Sequence, residues 1–257
     1  FERSTFNEMS FLFQQFDNVQ DRNVQEVMKL VLSSILVTLS SQNKGWAYIA
    51  DNVKPKADEL RKKHVFEQYK NSVKNLLNDI IEHVDRLPST YEAFYSEISH
   101  ETRVIEDSLV NVAMNPETVD LVVTSPPYPR MIDYVKSQRL SFNFLNENFG
   151  DYVGKEIGAR YRRSRRDFLD CYKHDIKQVN AKIVNVLKRN GYLCIVLPDY
   201  EAMDNRKEVI ENIVEDYFKC GLTKVFEVGR YIPSHKRTLS IQWATLVNER
   251  IYIFQKG

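Results

Sequence analysis

Asp120-Leu121-Val122-Val123-Thr124-Ser125-Pro126-Pro127-Tyr128 is the most informative stretch of the chain, and Asp133-Tyr134 follow it closely. Its apolar, β-branched first half predicts a buried strand over Val119–Val123, bounded by Pro116 and Pro126. In open α/β sheets, ligands bind just beyond the carboxyl ends of the strands. The Ser-Pro-Pro-Tyr sequence therefore lies where a functional site is expected.

From about residue 101, apolar runs alternate with amphipathic stretches, which predicts a parallel sheet with helices on both faces. A closing hairpin adds an antiparallel strand, so the predicted fold class is α/β with a C-terminal antiparallel hairpin. The predicted elements are strand Thr102–Glu106, helix Phe168–Arg189 ending at Asn190-Gly191, strand Tyr192–Leu197, helix Arg206–Lys219, strand Leu222–Val228, and a hairpin of Thr238–Leu246 and Ile251–Gln255 with a turn at Asn248-Glu249.

The first hundred residues carry a mainly helical pattern. Apolar residues recur every three or four positions between Val24 and Leu39, and a second long helix is expected after Pro55, with a stripe from Leu60 to Val84. Two regions are therefore predicted, a helical segment over residues 1–100 and an α/β portion over residues 101–257.

Composition excludes several classes of protein. The net charge is only +1, so any nucleic-acid surface must be local rather than a property of the whole chain. Three separated cysteines without a CxxC pair, and histidines without ligand spacing, predict no metal site and a reducing cytoplasmic location. No apolar run reaches the roughly 18 residues that a membrane span needs.

Thr124-Ser125-Pro126-Pro127-Tyr128 after an apolar strand, followed by Asp133-Tyr134, resembles the catalytic motif of the DNA amino-methyltransferase family. The Ser-Pro-Pro-Tyr form is similar to the cytosine-N4 branch, whereas the adenine-N6 branch more often has Asp or Asn at the first position. Segments at Glu156-Ile157-Gly158, Asn190–Val196 and Glu249–Phe254 also resemble this family, so the likeness covers roughly residues 100 to 257.

The resemblance implies a Rossmann-like methyltransferase fold and methyl transfer from S-adenosylmethionine to the exocyclic N4 of cytosine in double-stranded DNA. The lone pair of such an amine is delocalised into the ring, so acceptors on its hydrogens are needed to make the nitrogen nucleophilic. Ser125 Oγ and a carbonyl of the Pro126-Pro127 segment can accept those hydrogen bonds, because consecutive prolines preset the carbonyl direction. Tyr128 offers a ring on which the extruded base can stack.

The family also requires a glycine-rich Phe-x-Gly-x-Gly loop for the cofactor, and this sequence contains none. The order of the motifs places that loop upstream of Phe1, either on a second polypeptide or in a missing N-terminal part. Two positions of this chain match cofactor contacts of the family, Asp107 near the adenine ring and Thr124 at the strand end.

Basic clusters are the candidates for DNA contact, since phosphate binding requires Arg and Lys. Five arginines fall within seven residues after Ala159, two further basic residues follow the motif, and a third group precedes the hairpin with Arg230 and His235. The candidates are Lys136, Arg139, Arg160, Arg162, Arg163, Arg165, Arg166, Lys236 and Arg237.

Three alternatives to cytosine-N4 methylation remain open at this stage. The same motif suits adenine-N6 methylation, and related Pro-Pro-Tyr motifs serve RNA or protein amide methyltransferases. A non-catalytic DNA-recognition subunit of a split methyltransferase is the third. A restriction-modification or defence context is expected if the substrate is DNA. A Ser–His–Asp hydrolase has no support in the sequence, because Ser125 does not lie in a Gly-x-Ser-x-Gly elbow.

Overall fold

The computed structural model describes residues 1–42, 55–85, 103–162, 164–200, 204–233 and 248–257. They divide into two compact units, one formed by Phe1–Val104 with Lys136–Phe149 and the other by Ile105–Val135 with Gly150–Gly257. Residues 136–149, which the sequence analysis assigned to the α/β portion, thus cluster with the helical unit. Within the described ranges, no helix has the length and hydropathy required to cross a membrane.

The elements follow a helical first part and an α/β second part. In chain order they are α1 Arg3–Phe16, α2 Arg22–Leu39, a 3-10 turn Ala57–Glu59, α3 Val65–Asp85, β1 Val119–Thr124, α4 Tyr134–Ser137, α5 Arg139–Phe144, α6 Gly150–Val153, a 3-10 turn Arg160–Arg162, α7 Phe168–Val186, β2 Leu187–Asp199, α8 Asn205–Lys219, β3 Leu222–Tyr231 and β4 Asn248–Lys256.

The first unit is a small helical bundle. Asp21 caps α2 by accepting hydrogen bonds from the backbone N–H groups of Asn23 and Val24. One face of α2 is buried against α1 and α3, and α5 adds Phe144, whose ring meets Phe13 edge-on at 4.7 Å between centroids. The fully buried core consists of Met9, Phe16, Leu32, Leu36, Leu39 and Val65.

The second unit is built on a four-stranded open sheet with the order β1-β2-β4-β3. β1 runs parallel to β2, and β4 lies antiparallel to both β2 and β3. The predicted α/β class with a parallel core and an antiparallel addition is confirmed. The first strand of the predicted hairpin, Thr238–Leu246, lies outside the described residues.

Helices α7 and α8 pack on one face of this sheet. Their apolar stripes meet every second side chain of β2, and Phe254 of β4 closes the cluster. The sequence predicted helices on both faces, but the described helices of this unit cover only that one. The core residues are Tyr172, Ile176, Ile183, Leu193, Ile195, Leu197, Val209, Ile210, Ile213, Tyr217 and Phe254.

Three sequence predictions were wrong in detail. Residues 103–106 form no strand, and Val104 is 95% exposed. Helix α7 ends at Val186 rather than Arg189, and β2 begins at once, with a register shift against β1 between Val119 and Leu121. Asn248-Glu249 is not a turn, because both residues belong to β4 and pair with residues of β2 and β3.

The buried tyrosines predict how stability responds to alkali. Burial raises the pKa of Tyr128, Tyr172, Tyr200 and Tyr217 in the folded chain. Because the unfolded state releases these protons first, above pH ~10, stability is intact below that pH and falls above it by up to about 1.4 kcal/mol per pH unit per tyrosine. Thermal melts between pH 8 and 11 should show this fall, and Tyr217→Phe should reduce its slope. A slope that Tyr217→Phe leaves unchanged would contradict the assignment.

Candidate active site

The proposed motif lies at the carboxyl end of β1, directly beyond Thr124. Ser125 is exposed to solvent, Pro126 and Pro127 are half-buried, and Tyr128 is only 8% exposed. Strand pairing with β2 fixes the start of this segment, and the two prolines restrict its backbone. The arrangement presents the Ser125 hydroxyl on a rigid support.

A chain of hydrogen bonds runs from Ser125 into the protein. Ser125 Oγ lies 3.4 Å from Tyr128 Oη, which lies 2.7 Å from Glu249 Oε1. Glu249 is 7% exposed, and its other carboxylate oxygen accepts from the Arg230 guanidinium. An ionised carboxylate only accepts hydrogen bonds, so Tyr128 donates to Glu249 and accepts from Ser125. The lone pairs of Ser125 Oγ are thereby left for an external donor.

Tyr128 remains protonated in this arrangement. Burial, the main cause, raises the pKa of the Tyr128 hydroxyl, and its hydrogen bond to Glu249 acts in the same direction. The hydroxyl therefore stays a donor at neutral pH. The ring of Tyr128 belongs to the buried core, so stacking of a base on it would require the ring face to become accessible.

Helix α7 also touches the motif. Tyr172 Oη donates a 2.8 Å hydrogen bond to the carbonyl oxygen of Pro127. Gly158, at φ +72°, allows close approach, because a Cβ there would come within 3.0 Å of the Tyr172 ring. The carbonyl of Pro127 is thus already engaged, which makes that of Pro126 the better candidate to receive an external amine.

The segment after the motif is fixed by two acidic residues. Asp133 Oδ1 accepts a 2.7 Å hydrogen bond from the backbone N–H of Tyr161, and a Glu156 carboxylate oxygen accepts from the N–H of Tyr134. Burial raises the pKa of the Glu156 carboxyl, while its backbone hydrogen bonds oppose that change. Asp133 therefore serves here to anchor the loop at Tyr161.

Sequence reasoning did not identify Glu249, Tyr172 or Gly158 as site residues in these roles. Glu249 is 121 residues from Tyr128 and was assigned to a turn, so nothing local indicated its burial. Tyr172 was assigned only to the apolar face of a helix. Arg230 and Glu249 both lay outside the predicted strands, so their pairing across neighbouring strands could not be predicted from the sequence.

Asp107 and Thr124, the predicted cofactor contacts, occupy different settings. Thr124 ends β1 and pairs with Ile195. Asp107 is exposed and accepts hydrogen bonds from Asn111 Nδ2 and from the N–H of Ser108, which together lower the pKa of its carboxyl. One anionic acceptor and a strand end supply only part of a site for S-adenosylmethionine, because the sequence contains no glycine cradle for its methionine moiety.

The predicted basic residues are distributed over both units. Lys136 and Arg139 belong to the helical unit, where the Arg139 guanidinium lies 5.7 Å from the Phe149 ring centroid. Arg160 and Arg162 form a 3-10 turn, and Arg162 supports that turn by donating to the carbonyl of Gly154. Lys136, Arg139, Arg165 and Arg166 are exposed, and Arg165 pairs with Asp167. Arg163, His235, Lys236 and Arg237 lie outside the described residues.

Comparison with known proteins gives relatives of one kind. The chain is 28% identical over 137 residues to the type II methyltransferase M.MjaVI of Methanocaldococcus jannaschii, covering 53% of this chain and 55% of that protein. It is 30% identical over 169 residues to the type II methyltransferase M.BsoBI of Geobacillus stearothermophilus, covering 56% of this chain and 31% of that protein. The chain is similar to type II methyltransferases. It spans about half the length of the first and a third of the second.

Solved structures give weaker likenesses. A proposed DNA modification methylase from Thermus thermophilus, complexed with S-adenosyl-L-methionine, matches with 16% identity and a TM-score of 0.33 over 58% of this chain and 49% of that one. A SAM-dependent methyltransferase from Methanosarcina mazei matches with 9% identity and a TM-score of 0.31, covering 58% of this chain and 65% of that one. Scores this low add nothing to the assignment. No protein-family model matches the chain.

Proposed function

We propose that this chain is the catalytic, target-base part of a DNA methyltransferase that uses S-adenosylmethionine to methylate an exocyclic amino group, the N4 of cytosine. The observation that carries the proposal is the Ser125–Tyr128–Glu249 hydrogen-bond chain, which orients an exposed hydroxyl oxygen as an acceptor at a strand end. The likeness to two type II methyltransferases supports it.

In this proposal the chain's own residues prepare the amine. Ser125 Oγ accepts a hydrogen bond from one N–H of the amine and the Pro126 carbonyl accepts one from the other, so electron density returns to the nitrogen. Once methylated, the nitrogen releases one of these two protons to solvent. S-adenosylmethionine supplies the electrophilic methyl group. Tyr128 and Glu249 hold Ser125 in the accepting orientation, and the Tyr172 bond to Pro127 holds the backbone. Alignment of the two reactants provides much of the rate.

The preference for cytosine rests on Ser125, since the adenine-N6 branch of the family that the motif resembles more often has Asp or Asn at this position. Adenine-N6 methylation and a non-catalytic recognition subunit are the competing proposals. The names of the relatives favour a role beside a restriction system. The missing glycine-rich loop belongs, in this proposal, to a second polypeptide or to a further part of the same protein.

Nucleoside mass spectrometry tests the reaction. DNA is incubated with S-adenosylmethionine and the chain, alone and together with the polypeptide that carries the glycine-rich loop. N4-methylcytosine only in the second tube supports the proposal, and N6-methyladenine overturns the choice of base. N4-methylcytosine from the chain alone refutes the need for another cofactor-binding part. No methylated base in either tube, with DNA bound, favours the recognition subunit.

The exposed arginines Arg165 and Arg166 are proposed to contact DNA phosphates. Each lost phosphate contact reduces the slope of log K against log salt by about 0.9, so Arg165→Ala/Arg166→Ala should reduce it by roughly 2 and weaken binding to all sequences alike. Arg189→Ala, which removes an exposed arginine on β2, is the control. Fluorescence anisotropy at several salt concentrations measures the slope, and an unchanged slope in the double variant contradicts the proposal.

A further inference from the structure

Arg130, two residues beyond the Ser-Pro-Pro-Tyr motif, has a guanidinium group for which the described residues offer no acceptor. It forms neither a hydrogen bond nor an ion pair with any of them, and its Nε atom is buried. The guanidinium instead lies over the ring of Phe168, 5.2 Å from the ring centroid. A buried donor without an acceptor is costly, so a group of this kind calls for an explanation.

The backbone of Arg130 is fixed close to the motif. Its N–H donates a 3.1 Å hydrogen bond to the carbonyl oxygen of Gly158. Gly158 in turn lies against the ring of Tyr172, whose hydroxyl donates to the carbonyl oxygen of Pro127. Arg130 adopts φ +62°, a conformation uncommon for residues other than glycine. The half-buried side chain thus starts from a fixed point beside the strand end that bears Ser125.

Asp204 is an acidic residue on which the charge of Arg130 acts, but it is already paired. Its carboxylate oxygens lie 2.9 and 3.0 Å from Arg206 Nε, and Oδ1 also accepts from the backbone N–H of Arg206 at the start of α8. The hydrogen bonds from Arg206, the main cause, lower the pKa of the Asp204 carboxyl, and the charge of Arg130 acts in the same direction. Since Arg206 occupies both oxygens, Asp204 does not neutralise Arg130.

A second donor without a partner belongs to the same group of residues. Tyr200, directly after β2, is 4% exposed, and its hydroxyl oxygen is buried with no hydrogen-bond partner among the described residues. Its ring lies 4.2 Å from the Arg206 guanidinium, and it shares a buried cluster with Tyr128 and Tyr172. Because β1 and β2 run parallel, Tyr200 and the motif lie at the same edge of the sheet. This edge therefore suits a ligand that brings acceptor oxygens.

We propose that Arg130 and Tyr200 bind the phosphate group of the target nucleotide while Ser125 Oγ accepts from its amine, an inference that rests on the proposed function. A planar guanidinium that is stacked on an aromatic ring presents its donors in one preset plane, which matches phosphate oxygens. The Tyr200 hydroxyl supplies a further donor. A nucleotide extruded from the duplex carries its own phosphate to the strand ends. Contacts at the amine and at the phosphate fix its position at both ends.

The charge of Arg130 favours a phosphate rather than the base as its ligand. The O2 and N3 acceptors of cytosine are uncharged, whereas a phosphate carries the negative charge that an unpaired guanidinium requires. Hydrogen bonds between two ionised groups are also the stronger ones. Arg165 and Arg166 differ from Arg130 because they are exposed, which suits contacts along the duplex rather than a fixed site.

Titrations of the 257-residue chain with three probes test this inference. The probes are 2′-deoxycytidine 5′-monophosphate, 2′-deoxycytidine and inorganic phosphate, in the absence of DNA and S-adenosylmethionine. We expect the monophosphate to bind about 10- to 100-fold more tightly than the nucleoside, the range for hydrogen bonds to a charged group. In NMR spectra, the Nε–H signal of Arg130, identified by its loss in Arg130→Lys, should shift with the monophosphate and not with the nucleoside.

Variants assign the binding to the two side chains. Arg130→Ala should remove the preference for the monophosphate, whereas Arg130→Lys keeps the charge without the planar fork and should retain part of it. Tyr200→Phe removes only the hydroxyl and should reduce the preference roughly 2- to 10-fold. The matched control Arg189→Ala removes an exposed arginine near the opposite end of β2 and should change nothing. Melting temperatures show whether each variant is folded.

Each outcome decides the inference. A preference for the monophosphate that Arg130→Ala removes supports the site, and the Nε–H shift supports it even where that variant fails to fold. Equal affinity for monophosphate and nucleoside, an unchanged preference in folded Arg130→Ala, or no binding overturns it. Inorganic phosphate bound as tightly as the monophosphate overturns the assignment to a nucleotide. Binding as expected, with no methylated base from the complete enzyme, refutes the proposed function and leaves the phosphate site intact.

Discussion

Replacing Ser125 by Ala is expected to lower kcat for methylation by about 10²- to 10³-fold, the loss typical when one oriented hydrogen-bonding group is removed from a reacting centre. Ser125 is exposed, and within the described residues its Oγ has one partner, Tyr128 Oη at 3.4 Å, so the substitution should leave the fold unchanged. Binding of DNA should also be retained. Single-turnover methylation by the complete enzyme, with anisotropy for DNA affinity, measures both quantities.

Two further variants make the Ser125 result specific. Ser125→Asn retains an acceptor oxygen at the strand end and should keep more activity than Ser125→Ala. Ser34→Ala removes a hydroxyl from α2, where it donates to the carbonyl of Val31, and should not affect methylation. If the complete enzyme methylates DNA at the normal rate with Ser125→Ala, the site assignment is wrong.

Replacing Glu249 by Ala is expected to have the second large effect on kcat, and this effect is transmitted through Tyr128. Without the carboxylate, the Tyr128 hydroxyl is free to donate to Ser125 Oγ and occupy the lone pair intended for the amine. We expect kcat to fall roughly 10- to 100-fold, the range seen for groups that orient a reactive residue, with little change in KM. Loss of a buried partner should also reduce stability by about 1–3 kcal/mol.

The controls separate positioning from general destabilisation. Glu249→Gln keeps an acceptor oxygen and should restore part of the lost kcat at a stability similar to that of Glu249→Ala. Glu227→Ala removes another strand carboxylate that pairs with Arg250, and an exposed ion pair of this kind contributes at most about 1 kcal/mol. Equal kcat in Glu249→Ala and Glu227→Ala would exclude the positioning role.

The sequence alone was sufficient to predict those elements and site residues that depend on one continuous segment. The apolar, β-branched run ending at Pro126 predicted β1, and the stripe from Leu169 to Leu187 predicted α7. The same local pattern placed Ser125 beyond a strand end. These features depend on residues only a few positions apart, so their spacing carries the information.

The end of α7 shows why other boundaries were not predictable. The Asn190-Gly191 pair predicted that the helix would end at Arg189, but the helix ends at Val186. Lys256 Nζ, from the far end of the chain, donates to the carbonyls of Val184 and Leu187 and supplies the cap instead. Asn190, at φ +62°, lies within the irregular start of β2. A cap supplied from 69 residues away produces no recognisable pattern in the sequence around the end of the helix.

Only part of the candidate site could be predicted from the sequence, for the same reason. Ser125 and Tyr128 are neighbours, but the group that orients them comes from β4 and the one that holds the backbone comes from α7. Strand order β1-β2-β4-β3 brings Glu249 to this end of the sheet, and the pattern of Asn248-Glu249 gave no indication of that order.

The prolines of the motif have a consequence for which base the site would admit. Pro126 and Pro127 have no N–H groups, so the backbone beside Ser125 offers carbonyl oxygens and no donors there. Cytosine and adenine present an amino group at the edge to be modified, whereas thymine and guanine present the O4 and O6 acceptors. Oxygen facing oxygen repels, so a flipped thymine or guanine would meet unpaired acceptors. Discrimination against thymine and guanine would thus come from the backbone carbonyl groups of the motif, without a further side chain for that purpose.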